Sequence, residues 1–294
     1  MIRIGTNPIG WSNDDMLEVG GHIPLKQCLG EARTAGFVGM ELGNKFPRVA
    51  DQLRPILDAH GHVLVSGWYS CELLERDVDA EMQAVAAHAT LLRAMDCKVI
   101  IVCETSNTIQ GQKDTPLSAR PVLEKSRWEQ FGARLTAFAE RLMAEYGLQL
   151  AYHHHMGTVV QSEAEIDRLM AVTGPAFNLL LDTGHISWGG GNPARVARHY
   201  KDRIAHVHCK DIREDVMWQS QQEDWSFLDS VLAGVYTVPG DGFIDFVSVF
   251  KALPGYDGWV VVEAEQDPDK AEPAFYAKLG YDNLTRFLKE GGLL

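Results

Sequence analysis

Short apolar runs alternate with helix-patterned stretches from one end of the chain to the other. The pattern predicts strands over 2–6, 37–42, 63–68, 98–103, 148–153, 177–182, 204–209 and 259–263. Helical spacing fills 25–35, 48–60, 77–95, 124–146, 162–172, 193–199 and 274–289. In the fourth of these, Trp128, Phe131, Leu135, Phe138 and Leu142 recur at helical intervals, and Gly147 marks the stop. Ser162 with Glu165 three residues on reads as a capping box. Strands that each lead into a helix or a helix-bearing loop predict an α/β fold, a (β/α)8 TIM barrel. The spacing fits one domain over 1–294 with its main insertion at 212–243, after the seventh strand. A doubly wound open sheet would favour a glycine-rich phosphate loop after the first strand, and GTNPIGW is not one.

Composition narrows the function. The chain has 294 residues, is 46% hydrophobic and carries a net charge of −13. That charge speaks against nucleic acid and against anionic membrane surfaces. No apolar run is long enough to span a bilayer, and the N-terminus lacks the basic and apolar regions of a signal peptide. The five cysteines are odd in number and show no C-x-x-C spacing, which predicts reduced thiols and a cytoplasmic location.

The candidate chemistry sits at the ends of the last four strands, in His153-His154-His155, Asp182-Thr183-Gly184-His185, the run from His206 to Asp211, and Glu263-Ala264-Glu265. Strand side chains alternate, so His153 shares a face with His155, His206 with His208 and Lys210, and Glu263 with Glu265, while Asp182 ends its own strand's inward face. In a barrel these faces converge on the axis at the carboxyl rim. Polar residues are common at solvated strand ends, but four in succession, two closing purely apolar runs, point to a site, because a buried carboxylate must be paired or metal-bound. A mixed His, Asp and Glu set suits Mn²⁺, Co²⁺ or Zn²⁺. Lys210 is a candidate for charge stabilisation or proton transfer, or else for a salt bridge to a carboxylate. Glu41 closes the second strand, as part of the site or as a solvated end. Trp68 reads as pocket wall, and Glu104 as a hydrogen-bond partner for a polyol.

LDTGH, HVHCKD and WVVVEAE resemble the xylose-isomerase-like barrel family of sugar isomerases, epimerases and dehydratases, over nearly the whole chain. AYHHHMGT, WSND, GWYS and VVVEAEQDP resemble its inosose dehydratase branch and the rhizopine-catabolism relatives. The resemblance implies one divalent metal, held by Glu, Asp, His and Glu from strands five to eight. By motif, Asp182, His208 and Glu263 match the last three. The first position is His153 here, with His155 or a water as alternatives, and Glu265 competes with Glu263. His185 matches a substrate-contacting histidine, and Arg213 lies near a substrate-binding arginine of the family. The implied activity is dehydration of scyllo-inosose, a cyclic polyol ketone, with Mn²⁺ or Co²⁺. His185 and one of His154 and His155 would move protons, with Glu265 as competitor. Glutathione enters as a cofactor through the resemblance alone, and self-association of the chain is left open. The alternatives are an isomerase or epimerase on the same scaffold, a DNA-repair endonuclease and a non-catalytic polyol-binding protein.

Overall fold

The computed structural model describes residues 2–294. Eight parallel strands close into a barrel: β1 Arg3–Thr6, β2 Gly39–Leu42, β3 Val63–Cys71, β4 Val99–Glu104, β5 Gln149–His153, β6 Asn178–Asp182, β7 Ile204–Cys209 and β8 Trp259–Val262. Each strand pairs with its neighbours in chain order, and β1 closes the ring on β8 with Arg3 opposite Trp259. The predicted strands stand within a few residues of their expected bounds.

Alternation divides two cores. Val99, Ile101, Ala151 and Leu180 fill the barrel interior, while Ile100, Val102, Leu150, Tyr152, Leu179 and Leu181 face the surrounding helices. Val65, Trp259 and Val261 pack together as a further interior cluster. Gly39 is required there, since a Cβ would fall 2.4 Å from the Trp259 ring.

The helices start and stop where local chemistry directs. Leu25–Ala35 ends at Gly36, whose φ of 122° favours glycine. Trp128–Tyr146 ends at Gly147 in the left-handed conformation. The capping box of Ser162 and Glu165 opens Glu163–Val172.

The insertion at 212–243 carries structure of its own. It contains the helices Glu214–Glu223 and Phe227–Leu232, and its Tyr236–Thr237 pairs antiparallel with Asp211–Ile212. Asp211 is the buried peg of this excursion: its carboxylate accepts from the backbone N–H groups of Ile212 (2.9 Å), Gly240 (2.8 Å), Gly242 (3.1 Å) and Ile244 (3.1 Å).

Candidate metal centre and pocket

Register brings the strand ends together. Asp182 lies opposite His208 across β6 and β7, and His208 lies opposite Val261 across β7 and β8. One ligand-type atom from each of His153, Asp182, His208 and Glu263 falls within 4.8 Å of the others, and all four residues are buried.

The hydrogen bonds around the cluster leave its inner atoms free. The His153 Nδ1–H donates to the backbone carbonyl of His154 at 2.6 Å, so Nε2 carries the lone pair. The His208 Nε2–H donates to Glu41 Oε1 at 3.1 Å, so Nδ1 turns inward. Asp182 caps the short helix Thr183–Trp188 by accepting the His185 N–H on Oδ1 at 2.8 Å, and Oδ2 has no hydrogen-bond partner. His208 Nδ1 and Glu263 Oε2 are 2.7 Å apart, yet neither is aligned in a hydrogen bond. Converging, buried, unpartnered donor atoms of N and O type fit a divalent cation. The four expected ligand residues are therefore brought together. Glu265 and His155 stand outside this cluster.

Glu41 is the outer support. Its Oε1 accepts from Ser66 Oγ (2.7 Å), His206 Nε2 (2.8 Å) and His208 Nε2 (3.1 Å), and its Oε2 accepts from Asn7 Nδ2 (2.8 Å). Burial opposes the charge, but His208, His206 and these bonds hold the carboxyl well below the ordinary range. Glu41, His206 and His208 also converge closely enough to suggest a second cation. The four donors saturating Glu41 argue instead that it acts through hydrogen bonds, orienting His208 from behind. Burial likewise works against a charged His208, and Glu41 and Glu263 outweigh it, raising its pKa well above the usual value. Burial also opposes ionised Glu263, but Lys210 and His208 hold that carboxyl down at about 2.

A pocket opens beside the cluster. It is lined by Trp68, Gln110, His155 and Glu265 together with His153, His208 and Glu263. Trp68 is half-buried, edge-on to His153 and His155, with its Nε1–H bonded to Ser70 Oγ at 2.9 Å. Glu265 accepts from Asn13 Nδ2 at 3.0 Å, and burial pushes its carboxyl up to about 8 against the pull of Lys210. Lys210 is buried, 3.3 Å from Glu263 Oε2 and 4.0 Å from Glu265 Oε2. Its expected salt bridge is thus to Glu263, while Asp211 is taken up by the insertion. His185 is fully buried behind the pocket, its ring centroid 3.9 Å from that of His155.

Three expected site residues lie elsewhere. Glu104 follows inward Cys103 and so faces the helices, where it accepts from the backbone N–H groups of Ser106 (2.9 Å) and Leu74 (3.3 Å). The Arg213 guanidinium clasps the insertion through Gly234 O (2.7 Å), Tyr236 O (3.2 Å) and Asp241 Oδ2 (2.8 Å), leaving it no part in the pocket wall. His154 alternates away from His153 and His155. It is fully buried with neither ring nitrogen bonded, and burial drives its pKa down to about 3. Conversely, sequence reasoning did not single out Asn13, Gln110, Phe227 or Tyr236. Asn13 lay in the WSND motif. The others sit in loop or insertion sequence without periodicity.

The fold and the site define a class: the chain belongs to the xylose isomerase-like TIM barrel family, whose model matches residues 29–289. Within it, the chain is 49% identical over 293 residues to the rhizopine catabolism protein MocC of Rhizobium meliloti, covering 99% of this chain and 90% of that protein. It is 46% identical over 280 residues to the inosose dehydratase of Geobacillus thermodenitrificans, covering 94% of each. Among solved structures, the IOLI protein with a bound zinc atom superposes with a TM-score of 0.67 at 15% identity, covering 98% of both chains. The probable 3-DHS dehydratase AsbF from Bacillus anthracis does so at 0.70 and 15%, covering 97% of this chain and 99% of that one. These two likenesses show the fold alone.

Proposed function

We propose that this chain is an inosose dehydratase, a hydro-lyase of myo-inositol catabolism that removes one water from scyllo-inosose to give 3D-(3,5/4)-trihydroxycyclohexane-1,2-dione. The observation that carries the reading is the buried quartet of His153, Asp182, His208 and Glu263, opening on a pocket that also presents His155 and Glu265. Relatives named as inosose dehydratases at 42–46% identity support it. Bound there, Mn²⁺ or Co²⁺ would supply Lewis acidity toward the ketone oxygen.

The rest falls to the side chains. The His155 Nδ1–H donates to Met156 O at 2.8 Å, which leaves Nε2 as an acceptor in the pocket wall. His155 therefore takes the proton from the carbon next to the ketone. The electron pair of that C–H bond becomes a C=C bond as the next carbon releases its hydroxyl. Lys210, 3.3 Å from Glu263, and Glu265 in the pocket wall, whose carboxyl burial pushes up to about 8, can both act as acids, and either delivers the proton that turns the departing hydroxyl into water. The enol that remains tautomerises to the dione. A net charge of −13 favours a neutral polyol over a polyanion. Five free, buried cysteines fit the reducing cytoplasm.

Incubating Mn²⁺-loaded protein with scyllo-inosose tests the reading by mass. Loss of one water is expected, abolished by EDTA and restored by Mn²⁺ or Co²⁺. A product of unchanged mass would make the chain an isomerase or epimerase, and full turnover without metal would overturn the mechanism.

A further inference from the structure

Met156 stands between two histidines and treats them oppositely. Its carbonyl accepts the His155 Nδ1–H at 2.8 Å, and its N–H points at His185 Nδ1 from 3.1 Å. A peptide N–H only donates, so it favours the lone pair on His185 Nδ1 and the neutral ring's proton on Nε2, against the Lys210 ammonium that would favour a bare Nε2. The Tyr236 hydroxyl lies 2.9 Å from the same Nδ1 and 3.5 Å from Nε2, and donates to the nearer nitrogen.

Tyr236 is fully buried and comes from the insertion, not from the barrel. Its backbone is pinned through the pairing with Ile212 and through Arg213 on its carbonyl. Phe227, from the same insertion, stacks on the His185 ring with an interplanar angle of 20°. On the far side of the imidazole, Nε2 is 3.3 Å from Lys210 Nζ. With Nε2 protonated, an N–H and an ammonium stand side by side, and neither can accept from the other. Two adjacent donors call for an acceptor oxygen.

We infer that Tyr236 is a positioning residue. The insertion delivers a phenol that, with the Met156 N–H, locks His185 as an Nε2–H donor beside Lys210, the tautomer opposite to that of His155. The pair of donors matches the departing hydroxyl oxygen of the substrate, a step that rests on the dehydratase reading above. It gives the excursion after β7 a role in the chemistry: it selects the tautomer of a histidine that the barrel alone leaves with one donor.

The test has two arms. Nitrogen-15 NMR of protein labelled at histidine, with H185Q identifying the resonances, reads the tautomer directly. His185 is expected with a proton on Nε2 and a bare Nδ1, and Tyr236→Phe is expected to shift it toward a mixture. Protonation on Nδ1 in the unaltered protein, or an unchanged spectrum in Tyr236→Phe, would overturn the inference, and this arm needs no turnover. In the kinetic arm, Tyr236→Phe should lower kcat about tenfold, the worth of one buried hydrogen bond, with KM within about twofold. Unchanged kcat, or a loss confined to KM, would also overturn it. Absence of dehydration in the unaltered protein would instead sink the functional reading and leave the NMR result standing.

Discussion

Glu41 stands outside the quartet and touches it only through His208, yet replacing it should weaken metal binding. Three donors converge on its Oε1, and Asn7 occupies Oε2. Glu41→Gln keeps the shape but leaves one oxygen for those donors. If that oxygen stays with His206 and His208, the new amide N–H₂ opposes the Asn7 amide. Asn7 cannot flip to accept, because its Oδ1 already takes the Ile9 N–H at 2.9 Å. The substitution also removes the negative charge that makes His208 a more basic ligand. Loss of such an outer carboxylate weakens metal binding about 10- to 100-fold, or ~1.4–2.7 kcal/mol. The metal-free protein should lose about 3 kcal/mol as well, since a buried charge pair is broken on one side only. Competition against a fluorescent chelator measures the first effect and urea unfolding the second. Unchanged metal affinity would refute the role of Glu41. A stoichiometry of two metals in the unaltered protein, falling to one in Glu41→Gln, would show that Glu41, His206 and His208 hold a cation themselves.

Other outcomes follow from the same contacts. Metal binding must displace the second proton that Glu41 and Glu263 stabilise on His208, so affinity should climb about tenfold per pH unit below its raised pKa; isothermal titration in buffers of different ionisation enthalpy counts the proton, and none released would show His208 to be neutral before metal binds and refute this pH dependence. Asp211→Ala strands four backbone N–H groups and should cost about 3 kcal/mol, with water recovering part of the loss; an unchanged Tm would show that the insertion does not depend on it. His62 is buried with Nε2–H bonded to Leu29 O at 2.9 Å and a bare Nδ1, and burial lowers its pKa. The unfolded chain takes up this proton near pH 6.5 and the folded one only lower, so stability is full above about 6.5 and declines as pH falls through it; His62→Gln should flatten that slope in urea midpoints measured at pH 7.5 and 5.5.

The quartet was legible because period-two alternation on parallel strands is a strong constraint: once His208 faces inward, so does His206, and Cys209 cannot. The same rule, followed one residue further, turns Glu104 outward with Ile100 and Val102. Reading it as a polyol contact gave weight to its place at the strand end over its parity. Glu41 stayed ambiguous because its partners are 165 and 167 residues away, and only closure of the barrel brings them together. The insertion was opaque for a different reason. Glu214–Glu223 has polar residues on every side, and its strands are two residues long, too short for any period to register.

Charge explains why a histidine can stand where the family resemblance implies a glutamate. In the proposed centre Asp182 and Glu263 bring two negative charges, and His153 and His208 would bring none as neutral ligands, so the four would neutralise a divalent cation. A third carboxylate at position 153 would leave the centre net negative, with less Lewis acidity to spend on a ketone. It would also add a carboxylate to the pocket that Glu265 lines, whose own carboxyl burial already holds at about 8. Lys210, within 4.0 Å of both Glu263 and Glu265, supplies a compensating cation in that corner, and its three donors are already divided between the two carboxylates and the space beside His185. A neutral imidazole at 153 keeps that lysine free of a third claim. The histidine at 153 and the buried lysine are thus two halves of one charge balance.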